Sequence, residues 1–425
     1  MKELIIGIDI SRSSIAACFL LQKPENPRDD YFDADIKTYK ANLDNLNSLK
    51  TKIDSFGADK VVAICEPTGI NYAKLWINKL NEWVCETRMI SNSKLPTFRS
   101  ELLGKDGKSG AKTDDIDAYA IACWYFWKTD RDYLKIRCAV IGKIKYICLR
   151  LEHLNRIQNP IVNRMRQELS WQCPEIARVK SKMASEELAP LLWGWLAGLR
   201  KSKRYDRILA NTIGTGLEPE TRWAARQYCD IEFEMYKLRA ELTKLIGKPQ
   251  FFEYRKVFTK FGFGLNLQGY LLGAIYPIQD FLKDGKPDIK LRKNRQTGKV
   301  SKLKLSERRF MRAVGMGVIR EDSGQKKKGK QSGSALCRKA LWQWCHTRLE
   351  VGKLNPRGLE FNYIYEYPDP NDPKQTIKEI VKRSPAEDLK LRHKGGTPIK
   401  LARQRVVARC VKELFKELAA MIALK

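Results

Sequence analysis

The sequence predicts a mixed α/β domain at the N-terminus, followed by mainly helical regions that carry the positive charge. Up to residue 130, short β-branched apolar runs alternate with segments of helical periodicity, whereas helical periodicity dominates the later segments. Charge divides at the same place, because residues 1–130 hold 18 Lys and Arg against 19 Asp and Glu while the whole chain has a net charge of +31. We therefore expect an N-terminal domain at 1–130, a helical coiled-coil region at 131–250 and a basic, mainly α region at 251–425.

The N-terminal domain begins with two apolar, β-branched strands joined by a tight turn. A later strand, Lys60–Cys65, runs directly into Glu66. The last element is a strongly apolar helix that opens near Lys112 and reaches Trp127. The predicted strands are 4–10, 15–20, 35–40, 60–65 and 87–91. Helices are predicted at 46–57, after Gly69 (with Leu75, Trp76, Leu80 and Trp83 on the apolar side) and at 112–127. The order β-β-β-α-β-α-β-α is that of an RNase H-like layer.

Beyond residue 130 the pattern is mainly helical. The segment Val140–Trp171 is expected to be divided into two helices by Pro160. A heptad seam at 228–245 predicts a helical hairpin or a self-pairing coiled coil, with packing inside one chain as the equal alternative. Further helices are expected at 334–351 and 399–424, residues 355–375 read as a Pro-, Asn- and Asp-rich loop, and the Trp-bearing residues 175–220 receive no assignment.

Composition excludes several classes of protein. The chain has no run of 18 apolar residues, so we expect no membrane span, and no secretory signal is evident. The 11 cysteines contain no CxxC pair and the chain has 3 histidines, which indicates reduced thiols in a cytoplasm and argues against a zinc site. The excess of Lys and Arg after residue 130 points to nucleic acid as the partner, with an anionic membrane surface as the weaker alternative.

Four acids lie at similar positions in the predicted domain, near strand ends or a helix start. Asp9 lies on the first strand, Glu66 follows a later strand, and Asp114 and Asp117 share one face at the start of a helix. Since strand ends and helix starts meet at one edge of such a sheet, these oxygens suit Mg²⁺ or Mn²⁺. Ordinary interpretations stay open for each: a turn cap through Ser11 or Ser13 for Asp9, a turn for Glu66 and a favourable helix dipole for the Asp pair.

Three blocks that contain these acids resemble the DEDD, RuvC-like domain of IS110-family transposases, which also include Piv-type DNA invertases. The blocks are GIDIS at 7–11, CEPTG at 65–69 and KTDDIDA at 112–118. Later segments resemble the rest of that family in the same order, including its second, Tnp domain. They are Arg150–Glu175, FGFGLNLQGYLLGAIYPIQDF at 261–281, REDSG at 320–324 with Arg338 downstream, and HKGGTPIKLARQRVVARC at 393–410.

The resemblance implies a mechanism and a set of partners. Asp9, Glu66, Asp114 and Asp117 would hold Mg²⁺ or Mn²⁺, and Ser323 would attack a DNA phosphate to form a phosphoserine link. Asp115 is an extra acid, expected to point away from the cluster. Donor and target DNA, a structured bridge RNA and a homodimer that assembles into a tetramer are the implied partners, in a bacterial cytoplasm at the nucleoid. Cations expected to hold a scissile strand are Lys326, Lys327, Lys328, Lys330 and Arg338.

The chain departs from the family by its length. The added residues fall at 175–220, 283–305 and 353–390, whose roles the resemblance leaves open. Other classes also remain open: a RuvC-like nuclease that uses the acids without Ser323, a Piv-type invertase without an RNA guide, a sugar-kinase or actin-like ATPase that shares the Gly-Ile-Asp-Ile hairpin, and a non-catalytic nucleic-acid-binding protein.

Overall fold

The chain folds into two compact units, Met1–Arg137 and Cys138–Lys425, in a computed structural model. The structure describes residues 2–66, 70–104, 113–134, 138–182, 188–293, 298, 300–323, 326–352, 354–356, 359–368 and 376–423. The first unit ends close to the domain boundary expected at residue 130.

The first unit is built on a five-stranded sheet in the order β3-β2-β1-β4-β5. The first three strands pair antiparallel, while β4 lies parallel to β1 and β5 parallel to β4. The elements are β1 Glu3–Ile10, β2 Ser14–Leu20, α1 Pro27–Asp30, β3 Asp35–Lys40, α2 Leu43–Ser55, β4 Lys60–Cys65, α3 Ile70–Glu82, β5 Glu86–Met89, α4 Leu95–Leu103 and α5 Asp114–Trp127. The predicted mixed α/β layer is confirmed, and α1 and α4 are additions that sequence reasoning missed.

Side chains of β1 alternate between two cores, one on each face of the sheet. Leu4, Ile6 and Ile8 pack with the core that α2 and α3 cover, whereas Ile5 packs with the core beneath α4 and α5. Helix α3 departs from expectation at Leu75, which is exposed although its neighbour Trp76 is buried. The central strand is thus covered on both faces, which fixes its position relative to α5.

The second unit is mainly helical, and its described residues form three two-stranded ribbons. Its elements are α6 Ala139–Gln172, α7 Leu191–Leu196, α8 Lys203–Ala210, α9 Pro219–Ile246, α10 Phe252–Lys260, α11 Leu265–Ile275, β6 Ile289–Lys293, β7 Val300–Lys304, α12 Leu305–Ala313, β8 Gly317–Ser323, β9 Lys326–Ser332, α13 Ala335–Trp344 (continued by a π-helix, Cys345–Val351), β10 Phe361–Pro368, β11 Thr376–Arg383, α14 Pro385–Lys394 and α15 Ile399–Ala423.

Helix α6 is continuous, so the prediction that Pro160 divides it is wrong. A proline inside a helix leaves the carbonyl four residues earlier without its usual donor. Here that residue is Arg156, which is exposed like Pro160 itself, so water can satisfy the carbonyl.

The heptad seam of α9 packs against α6 of the same chain. Two hydrogen bonds join the helices, from Gln158 Nε2 to Glu232 (2.6 Å) and from Thr221 Oγ1 to Glu168 (3.0 Å). Their order along the two helices makes the pair antiparallel. The helical hairpin is therefore the alternative that the structure supports.

The loop expected at 355–375 is partly a strand, because β10 pairs with β11. Residues 361–367 alternate aromatic and other side chains, which suits a pleated ribbon. One core runs from Ile141 in α6 to Ala419 in α15, so the helical and C-terminal regions pack as one body. The division of function at residue 250 stays a prediction.

Candidate active site

Asp9 and Glu66 lie side by side at one edge of the central sheet. In the parallel β1–β4 pair, Ile8 is opposite Cys65, and each acid is the next residue along its strand. The turn after β1 is closed by Ser11, whose hydroxyl donates to the carbonyl of Ser14 (3.0 Å). Among the described residues no hydrogen bond joins Asp9 to Ser11 or Ser13, so the turn cap expected as its ordinary interpretation is not seen.

The carboxyl group of Asp9 is partly desolvated and surrounded by other acids. Burial, followed by the charges of Asp117, Asp114 and Glu66, raises the pKa of Asp9 to about 7 from 3.8. A hydrogen bond from the backbone of Ile10 opposes this shift. Burial and neighbouring like charges both disfavour ionisation. The charge of Asp9 is therefore coupled to those of Asp117, Asp114 and Glu66.

Helix α5 brings two of these acids to the edge of the sheet. Thr113 caps the helix by accepting a hydrogen bond from the Ile116 amide (3.3 Å), which makes Asp114 the first helical residue. Asp117 lies almost one turn later and is buried, whereas Asp115 is exposed. Asp115 raises the pKa of Tyr31, second to burial, whereas the main charges that raise the pKa of Asp9 are those of Asp117, Asp114 and Glu66. This agrees with the expectation that Asp115 points away.

Gly7 allows α5 to approach β1, and sequence reasoning did not single it out. A Cβ at position 7 would lie 2.2 Å from the carbonyl oxygen of Ala118 and 2.2 Å from the amide nitrogen of Ala122. Both atoms belong to the helix backbone, which cannot rotate away as a flexible side chain can. The glycine two residues before Asp9 therefore sets the separation between Asp9 and Asp117.

Arg99 is a second functional candidate that the sequence did not reveal. Its guanidinium on α4 donates a hydrogen bond to Asp117 in a nearly buried ion pair, with the side chains 13% and 5% exposed. Among the described residues, no three His, Cys, Asp or Glu side chains are grouped closely enough to hold a metal ion. One oxygen of Asp117 is already bound by Arg99, which leaves its other oxygen for a further ligand.

Ser323 lies in the second unit, at the end of a β-hairpin. It is the last residue of β8 and pairs with Lys326, the first residue of β9. Lys327, Lys328 and Lys330 follow on β9. The side chains of Ser323 and of these four lysines lie outside the described part of the structure, as does Gly324.

Arg338, the remaining predicted phosphate contact, lies on α13. Its guanidinium donates to the backbone carbonyl of Gly315 (3.1 Å). This bond ties the helix to the turn that precedes β8. The role in nucleic-acid binding expected for Arg338 stays a prediction.

Carboxylates gathered at the edge of an RNase H-like sheet are typical of enzymes that cut or transfer phosphodiester bonds with divalent metals. Residues 6–170 match the model of the IS110-type DEDD family, and the proteins of this family are described as transposases. The match covers 165 of the 425 residues, less than half of the chain, and indicates a DNA transposase or recombinase. The matched range contains Asp9, Glu66, Asp114 and Asp117 and ends within α6, whereas Ser323 lies beyond it.

No curated protein matches the chain. None of the described helices is both long and apolar enough to cross a lipid bilayer.

Proposed function

We propose that this transposase cuts and rejoins donor and target DNA under the guidance of a structured RNA, with the four acids binding divalent metal and Ser323 forming a phosphoserine intermediate. The observation that carries the proposal is the raised pKa of Asp9, whose second cause after burial is the charge of the other three acids. Acids that destabilise one another in this way are stabilised by a cation bound between them.

The donor chemistry suits Mg²⁺ or Mn²⁺, but the acids would have to come closer together than they lie in the described structure to hold the ion. Asp9, Glu66, Asp114 and Asp117 offer only carboxylate oxygens, which these hard cations prefer. When bound, such ions polarise a phosphoryl oxygen and stabilise the leaving oxygen of a displacement. Arg99 would keep Asp117 oriented towards the cluster through their ion pair.

Ser323 would act as the nucleophile. Its hydroxyl gives up its proton as Oγ forms a bond to phosphorus, the bond from phosphorus to one sugar oxygen breaks, and the released sugar oxygen takes up a proton, so that no net proton is gained or lost. The phosphodiester is then reformed when a second DNA hydroxyl displaces the serine. Its place at the end of a hairpin whose other strand begins with lysines supports this role, because cations there can hold a scissile strand by its phosphates.

The partners follow from charge and from the family resemblance. DNA is the substrate of a transposase, and the net charge of +31 suits a protein that binds long polyanions. The bridge RNA and the assembly of homodimers into a tetramer rest on the resemblance. Because the 228–245 seam is packed against α6, a dimer would have to use another surface of these helices.

The decisive experiment combines the purified protein and its co-purifying RNA with donor DNA, target DNA and Mg²⁺. We expect recombinant DNA and a covalent protein–DNA adduct, both lost in Ser323→Ala and both kept in Ser170→Ala, an exposed serine at the end of α6. Cleavage with no adduct would favour a RuvC-like nuclease. Recombination that persists after the RNA is removed would favour a Piv-type invertase.

A further inference from the structure

The second unit contains a strongly basic cleft. Its volume is about 860 Å³, and it lies between the ribbon β6–β7, helix α12 and the base of the hairpin β8–β9. The lining residues are Arg292, Lys302, Lys304, Glu307, Arg308, Met311, Arg312, Met316, Gly317, Ser332 and Lys412.

Charge in the cleft is almost entirely of one sign. Among its lining residues, which include six cations, Glu307 is the one acid. Glu307 is nearly buried and lies 3.8 Å from Lys304 and 3.7 Å from Lys412. Within the described part of the chain, Arg308 and Arg312 form no ion pair with an acid, and both are exposed. Like charges held together at a concave surface concentrate a positive potential, which favours a polyanion.

The cleft adjoins the hairpin that carries Ser323. Gly317 and Ser332, which line it, are the first pair of that hairpin, and Ser323 ends the same strand. Because six residue steps along a strand span about 20 Å, Ser323 lies about 20 Å along β8 from Gly317 at the cleft. The Ser332 hydroxyl is buried and has no hydrogen-bond partner among the described residues. A buried hydroxyl beside six cations is a donor suited to a phosphate oxygen.

The ribbon β6–β7 supplies a second feature, a solvent-exposed face that mixes lysine with aliphatic side chains. On this face each directly opposed pair joins one lysine to one aliphatic residue: Ile289 to Lys304, Leu291 to Lys302, and Val300 to Lys293. The aliphatic members are 50%, 69% and 62% exposed, respectively. Lys302 and Lys304 also line the cleft. Exposed aliphatic side chains on a ribbon that ends in a cationic cleft mark a contact surface.

We infer that the ribbon β6–β7 enters the major groove of a B-form DNA duplex while the cations of the cleft bind the adjoining phosphates. This assignment rests on the proposed function, and it gives a role to β6 and β7, which lie within the segment 283–305 expected from the resemblance to be added length. The major groove of B-DNA admits a two-stranded ribbon, and aliphatic side chains there contact thymine methyl groups. The major groove of an A-form RNA helix is too narrow for side chains to read.

The cleft is tested by the salt dependence of duplex binding, measured by fluorescence anisotropy on the full chain without Mg²⁺. The double variant Arg308→Gln/Arg312→Gln should lower the magnitude of the slope of log affinity against log salt by about 1.8, since each phosphate contact contributes about 0.9. The control Lys244→Gln/Lys248→Gln removes the same charge from exposed residues that do not line the cleft, and should leave the slope within about 0.3 of wild type. Equal effects of the two double variants on the salt slope would contradict phosphate binding by the cleft.

The ribbon is tested with Leu291→Ser, which changes no charge. On a 20-base-pair DNA duplex we expect affinity to fall about tenfold at unchanged salt slope, because one apolar contact in the groove is lost. On an RNA duplex of the same sequence we expect less than a twofold change. Equal losses on DNA and RNA, or no loss on DNA, would overturn the placement of the ribbon. These readouts need neither metal nor Ser323. Failure of the proposed DNA contacts can therefore be distinguished from failure of the proposed chemistry.

Discussion

Replacing Gly7 with alanine should separate the strand that carries Asp9 from the helix that carries Asp117. The new methyl group would lie 2.2 Å from two backbone atoms of α5. To restore ordinary van der Waals contact the helix must withdraw by about 1 Å, because well-packed interiors leave no other space. Overpacking of this kind costs about 1–3 kcal/mol, and the clash with rigid backbone places this site near the upper end.

Two measurements check this prediction. Hydrogen exchange of α5 amides should accelerate by about 150-fold for a loss of about 3 kcal/mol. Recombination should fall by about 100-fold at a temperature where the unit stays folded, because a 1 Å misplacement of a catalytic group has an effect of that size.

Gly142→Ala is the matched control. Position 142 lies in α6 with open space around its Cβ, and alanine there should stabilise the helix by about 0.5–1 kcal/mol. Wild-type exchange and activity in Gly7→Ala would refute the argument that close approach of β1 and α5 builds the site.

Three further predictions follow from the two units. Arg99→Met leaves the Asp117 carboxylate buried without its cation and should lower the free energy of unfolding of the first unit by about 3–5 kcal/mol. Adding Asp117→Asn should recover most of that loss. Additive losses in the double variant would contradict the ion pair. The pKa of Asp9 is raised from 3.8 to about 7, so between these pH values the native state keeps a proton that the unfolded chain loses. Without metal, the free energy of unfolding should therefore fall from about pH 4 to pH 7, by at most about 1.4 kcal/mol per pH unit. Asp9→Asn should remove that fall. If Ser323 of one subunit acts with the acids of another, mixing Asp9→Asn with Ser323→Ala protein should restore recombination that neither shows alone, and a mixture as inactive as its parts would argue against a shared site.

Local sequence patterns predicted much of the first unit because each of its strands and helices can be recognised from a few neighbouring residues. The β-branched runs and the strand that ends at Glu66 have one interpretation each, and β3 and β4 have the predicted bounds. The acids could be grouped because a parallel sheet brings strand ends to one edge. Arg99 could not be found this way, since its partner Asp117 is 18 residues distant and belongs to another helix.

Other misses came from long-range packing. Pro160 signals a break, yet α6 continues because the affected carbonyl faces solvent. The strand β10 was hidden by the prolines and aspartates that follow it, and it forms by pairing with β11. The seam on α9 has the same spacing whether its partner is a second chain or α6, so only the fold distinguishes the two.

Binding of Mn²⁺ by the isolated protein tests whether Asp9, Glu66, Asp114 and Asp117 form one metal site. Calorimetric titration of wild type and of Asp9→Asn, Glu66→Gln, Asp114→Asn and Asp117→Asn should show at least about tenfold weaker binding in every variant, since each removes one carboxylate ligand. Asp115→Asn is the control, because Asp115 lies between two of the acids in sequence but is not among the main charges that raise the pKa of Asp9. We predict that it binds Mn²⁺ within twofold of wild type. Equal weakening by Asp115→Asn, or unchanged binding in any of the four variants, would contradict the account.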